Sequence, residues 1–132
     1  MTVAGKLTLI TAAASGMLAV TLGAFGAHAL KGQIDADMMR VYQTAVQYHF
    51  YHTFALLFVG LLMLKLKPVV WLSWSAALFT AGLVLFCGSL YLLVMTGTRW
   101  LGVITPVGGV CFITGWLLLI PAVWRTNDSG RE

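Results

Sequence analysis

Charge is what this chain has least of. Its 132 residues include 4 Asp and Glu and 8 Lys and Arg, 9% together. None of these falls within residues 7–30, 45–64, 69–94 or 101–124. The lack of an acidic pair in any of those stretches argues against a carboxylate-driven transporter. Cysteine is equally scarce: Cys87 and Cys111 stand alone in separate stretches, with no Cys-x-x-Cys, which argues against a thiol-redox enzyme and suits small buried side chains. A phosphate loop is missing, and so is a nucleophile elbow with Ser/His/Asp order. The basic residues never form a run, so the net charge of +4 is no nucleic-acid signal.

The same four uncharged stretches dominate what is present. Hydrophobic residues make up 60% of the chain and the mean hydropathy is +0.91, more apolar surface than a water-soluble fold can hide. A bilayer core of ~30 Å takes ~20 apolar residues as a helix, and each stretch meets that length. The expectation is an all-α, polytopic membrane protein, one domain over 1–132, with four spans near 7–30, 45–64, 69–94 and 101–124. The connections are too short to build a core of their own. Trp71 and Trp74, Trp100 and Trp124 sit at span ends as belt aromatics.

Orientation follows from the basic residues. Four spans put both termini on one side, with Lys6, Lys65, Lys67, Arg125 and Arg131. The other side holds Lys31, Arg40 and Arg99. That bias puts both termini in the cytoplasm of a bacterial plasma membrane, with Asp35 and Asp37 outside. Lys6 followed by an apolar run and Ala27-His28-Ala29 imitates a signal peptide. The run is longer than the usual ~7–15 residues, and retention is the expectation.

Small residues mark where helices meet, since lipid removes the hydrophobic drive for association. Gly16, Ala19, Gly23 and Gly26 recur at intervals of three and four in the first span. Ser15, Ala19, Gly23 and Ala27 form an overlapping row. Gly82, Gly88 and Ser89 in the third span and Gly102, Gly108, Gly109 and Gly115 in the fourth suggest further packing faces. Pro106 beside Gly108 and Gly109 suggests a local bend. Matches between the two halves of the chain are too faint to carry a duplication. Between Gly32 and Thr44, Ile34, Met38 and Val41 alternate with charges at helical spacing. A short interfacial helix over 34–44 is one expectation, an exposed loop the other.

The polar residues inside the second span are the functional clue. Tyr42, Ala45, His49, His52 and Leu56 share one stripe, and Gln43, Gln47 and Tyr51 a second. With hydrocarbon beginning near Ala45, His49 lies ~6 Å and His52 ~10 Å deep. His28 ends the first span on the same outer side. Polar groups facing lipid are costly, so these side chains should face the bundle or the interface.

The cluster is open to three readings. In one, neutral imidazoles and phenols hydrogen-bond between helices, each bond worth about 1 kcal/mol. In another, His49 and His52 bind a metal with His28 and Asp35 or Asp37. The last is a haem, quinone or proton-relay site. His52, deeper than His49, is expected to find its partner near His28 or at Ser89 and Tyr91.

Several local patterns carry a family resemblance along nearly the whole chain. They are Gly23-Ala-Phe-Gly-Ala-His28, Tyr48 and His52, Phe86-Cys-Gly-Ser-Leu-Tyr91, Thr105-Pro-Val-Gly-Gly109 and Gly115-Trp116. The sequence resembles the domain of unknown function 423 family, the YgdD-like small inner-membrane proteins related to an animal transmembrane family. His49 is not part of that pattern. The resemblance implies a membrane placement and a helical fold, and no reaction. The close-packing faces and the lack of any catalytic constellation give the first functional expectation: a non-enzymatic protein in the lipid bilayer, acting through helix packing with itself as a homo-oligomer or with a larger membrane complex. The alternative is a ligand site in the outer half built from His28, Tyr48, His49, His52, Ser89 and Tyr91.

Overall fold

In the first span large side chains face outward and small ones inward, the reverse of a soluble helix. The first span buries Gly5, Thr8, Ala12, Ser15 and Ala19 while exposing Val3, Leu7, Ile10, Met17 and Val20. The computed structural model describes residues 2–67 and 69–126. Arg131, counted above on the terminal side, lies outside the described residues. Four helices are long and apolar enough to cross a membrane: Val3–Leu30, Ala36–Lys65, Val70–Thr96, and a fourth span whose regular helix runs Thr105–Thr126. No strand occurs among the described residues.

The second span is the hub. It packs along the first on one side and along the third on the other, and the third packs along the fourth. Its N-terminus is capped by Asp35, whose carboxylate accepts from the Met38 amide at 2.8 Å. From Ala36 to Lys65 the helix is unbroken for 30 residues. The separate interfacial helix expected over 34–44 is therefore the opening of the second span itself. The charges at Asp37 and Arg40, which pair with each other, interrupt the apolar run but not the backbone hydrogen bonding.

That early start changes the depth of the histidines. His49 lies roughly 20 Å from the Ala36 end and roughly 24 Å from the Lys65 end, by helical rise. His52 falls halfway between Arg40 and Lys65, the charges bounding the uncharged run. Both therefore sit near mid-span, deeper than the outer-half position expected from a start at Ala45.

Two spans carry wide turns. The first ends in a π turn over Gly26–Leu30, and the third is interrupted by a π turn over Leu83–Cys87. The third ends at Gly97, whose φ of 68° is the left-handed conformation that stops a helix. A 3₁₀ turn over Arg99–Val103 leads into the fourth span. The bend expected at Pro106 is instead a helix start. Proline is tolerated in a first turn, where its missing amide hydrogen has no intrahelical partner. At the opposite end Arg125 lies over Trp71, 5.7 Å from the ring centre, joining the start of the third span to the end of the fourth.

The glycines sort by what their missing Cβ admits. At Gly26 that space is filled by the Tyr42 ring, and at Gly108 by the backbone of Phe86. Gly115 admits the Phe79 ring, where a Cβ would stand 2.8 Å from Cε1. Gly16, Gly23 and Gly109 are looser, with an added Cβ at 3.6, 3.4 and 3.8 Å from its neighbour. The close-packed face of the first span is thus rotated toward Gly5, Thr8, Ala12, Ser15, Ala19 and Gly26. Gly16 and Gly23 lie at its edge.

Candidate functional site

Two polar groups occupy the middle of the bundle, one around each buried histidine. His49 and His52 are three residues apart on one helix, so their side chains point ~60° apart around its axis. That angle sends them to different neighbours.

His49 joins three spans. Its Nδ1 lies 3.0 Å from the Tyr91 hydroxyl of the third span, and its Nε2 lies 3.1 Å from Ser15 Oγ of the first. Ser15 Oγ is in turn 2.6 Å from Thr53 Oγ1 of the second. Every member of this chain, Tyr91–His49–Ser15–Thr53, both donates and accepts hydrogen bonds. It is therefore satisfied with the hydrogen bonds running in either direction and with either tautomer of His49. Tyr42 closes its outer flank, its hydroxyl donating to the Leu22 carbonyl and its ring meeting Tyr91 edge-on at 5.4 Å.

His52 is held in one state. Nδ1 lies 2.9 Å from the Tyr48 carbonyl, which only accepts, so Nδ1 carries the hydrogen. Trp116 Nε1, which only donates, reaches Nε2 at 3.1 Å. The ring is thereby a neutral Nδ1–H tautomer with both nitrogens in use. It stacks on Phe112 with ring centres 3.5 Å apart and planes at 11°, and Phe79 lies 5.7 Å away.

The expected site residues do not converge. His28 is exposed between Gly26 and Leu30, which the turn buries, so the position between them faces the opposite side. Tyr48 contributes its carbonyl, while its ring stacks on Phe86 at 4.6 Å. Ser89 turns away from the histidines, 2.7 Å from Thr105 Oγ1 at the start of the fourth span, and donates to the Phe86 carbonyl at 2.9 Å. Tyr91 does reach a histidine, but it is His49 and not His52. Asp35 and Asp37 stay exposed at the start of the second span. Among the described residues no three His, Cys, Asp or Glu side chains come together as metal ligands.

Ser15, Thr53 and Trp116 are the partners that residue type alone did not single out. The available signal was Trp116 itself. A tryptophan at mid-span, away from the interfacial belts, needs a buried acceptor for its indole N–H. With those partners in place, every buried side-chain nitrogen and oxygen among the described residues has a hydrogen-bond partner.

Residues 22–109 match the family model described as "Protein of unknown function (DUF423)". The chain is 45% identical to the UPF0382 membrane protein YwdK of Bacillus subtilis, over 89% of this chain and 95% of that protein. It is 43% identical to a UPF0382 membrane protein of Staphylococcus aureus, over 91% of this chain and 97% of the relative. It is 40% identical to the UPF0382 inner membrane protein YgdD of Escherichia coli, over 95% of each. No solved structure matches the chain. The chain belongs to the DUF423 family and is a membrane protein with four spanning helices.

Proposed function

We propose that this member of the DUF423 family is a non-enzymatic membrane protein that acts through helix packing, with itself or within a larger membrane complex, and has both termini in the cytoplasm. One observation carries the reading. The hydrogen-bonding capacity of both buried histidines is met by side chains and backbone of neighbouring turns and spans. The polar interior thus holds specific helix faces together, which lipid alone cannot specify. A metal, haem or quinone site would have to displace Trp116 from His52, or Ser15 or Tyr91 from His49. The distribution of Lys6, Lys65, Lys67 and Arg125 against Lys31, Arg40 and Arg99 supports the orientation.

Elemental analysis and an optical spectrum of gently purified protein, with His49→Ala and His52→Ala alongside, test the interior. The expected outcome is a loss of thermal stability in both variants with no metal or chromophore bound in stoichiometric amount. A bound metal or haem lost in both variants would overturn it. For orientation, a variant lacking Cys87 and Cys111 carries a single new cysteine. Impermeant reagent on whole cells should reach Gln33→Cys and not Thr2→Cys, and the reverse pattern would contradict the assignment.

A further inference from the structure

Outside the closed interior, a polar surface lies without hydrogen-bond partners among the described residues. An open furrow of about 680 Å³ runs between the first and second spans at the end where Lys31 lies. Gln43 and Gln47, one turn apart on the second span, line it and are exposed. Among the described residues neither amide makes a hydrogen bond, and Lys31 makes no ion pair. Gln47 lies roughly 10 Å below Arg40 by helical rise, where an unpaired amide in contact with acyl chains is costly. The wall below Lys31 is apolar and shallow, formed by Gly23, Ala27 and Val46. The furrow thus presents a cation at its mouth and, below it, two amides side by side with an apolar trough.

We propose that this furrow holds one anionic phospholipid. Its phosphate pairs with the Lys31 ammonium, its ester carbonyls accept from the Gln43 and Gln47 amides, and an acyl chain lies along Gly23, Ala27 and Val46. A cation at the mouth with amides and apolar surface below it suits a lipid's headgroup, esters and chain, and a lysine near the membrane surface attracts anionic headgroups. A second copy of the chain fits less well. No carboxylate lines the furrow, so a two-fold contact there would leave both copies of Lys31 without a counter-charge.

Native mass spectrometry tests this on the whole protein in mild detergent, with phosphatidylglycerol or phosphatidylcholine added in equal amount. Wild type should retain one phosphatidylglycerol, and phosphatidylcholine ~fivefold or more weakly, the scale of one lysine's attraction to an anionic headgroup. Lys31→Glu should lower phosphatidylglycerol retention by ~fivefold or more with the melting temperature unchanged. Gln43→Leu with Gln47→Leu should lower retention of both lipids. Should that double variant fail to fold, Lys31→Glu decides alone. Equal retention of the two lipids by wild type, or undiminished phosphatidylglycerol on Lys31→Glu, would overturn the proposal. So would a wild-type dimer that these substitutions dissolve, since the furrow would then be a contact between copies.

Discussion

The two helical hairpins of this protein are held by different chemistry. Between the first and second spans the contacts are mostly small and hydroxyl-bearing: Ser15 on Thr53, the Thr8 hydroxyl on Met63 Sδ at 3.6 Å, and Leu9 over Gly60, with the Tyr42 ring seated at Gly26 as the exception. Between the third and fourth spans, aromatic rings seat into glycines, Phe112 at Gly82 and Phe79 at Gly115, while the Phe86 backbone lies against Gly108. Each buried histidine of the second span belongs to one style. His49 joins the hydroxyl chain, where partners exchange donor and acceptor roles. His52 joins the ring cluster, where Trp116 and the Tyr48 carbonyl admit a single tautomer. A hydroxyl network adapts to the loss of a member, whereas a ring seated in a glycine leaves no room to adjust. Away from the tight seats at Gly26 and Gly60, substitutions in the second hairpin should therefore cost more than equivalent ones in the first.

The sharpest test of that contrast is Gly108→Ala. Its methyl would meet the backbone of Phe86 rather than a movable side-chain end, so the cost should be about 3 kcal/mol, the top of the overpacking range. Thermal unfolding in detergent measures it, and a wild-type melt would mean the two backbones do not approach. Next, Trp116→Phe keeps a ring against Phe79 but leaves the buried Nε2 of His52 without a donor. It should lose ~2 kcal/mol. A loss below ~0.5 kcal/mol, the scatter of neutral substitutions, would show that the indole hydrogen bond is not formed.

In the first hairpin Ser15→Ala should cost ~1 kcal/mol or less, as is usual for a hydrogen bond between membrane helices. The Tyr91 hydroxyl can still satisfy one His49 nitrogen from the other side. Ser15→Ala with Tyr91→Phe removes both partners, so the pair should cost more than the sum of the single variants. Strict additivity would mean that His49 does not bridge the two hydroxyls. Smallest of all, Gly16→Ala should change stability by less than ~0.5 kcal/mol, because its methyl stands in ordinary contact 3.6 Å from Thr53 Cγ2. If it destabilises like Gly108→Ala, the looseness assigned to the first hairpin is wrong.

The four spans were legible in the sequence because apolar content accumulates over twenty residues and survives local exceptions. The start of the second span was not. Asp37 and Arg40 break its hydropathy without breaking its helix, and nothing from Ala36 to Val59 is a glycine or proline. That shift moved His49 and His52 from the outer half to mid-span. The histidines were visible as buried polar groups, but their partners were not. A ~60° difference in direction around the axis separates Tyr91 from Trp116, and only the packing of the other spans decides which partner each direction meets. His28 was grouped with them by depth alone. The burial of Gly26 and Leu30 on either side of it turns it outward. Neither π turn contains a proline, and the glycines at Gly26, Gly82 and Gly88 do not distinguish a π turn from close packing.

On the proposed function, protein partners hold the buried histidines. Ring ¹⁵N NMR of histidine-labelled protein in detergent tests it most directly, with His52→Ala assigning the resonance and Trp116→Phe perturbing it. The expected spectrum is that of a neutral His52 carrying its hydrogen on Nδ1, with an Nε2 resonance that moves when the indole donor is removed. A hydrogen on Nε2, or an Nε2 signal characteristic of a bound metal and indifferent to Trp116→Phe, would contradict it.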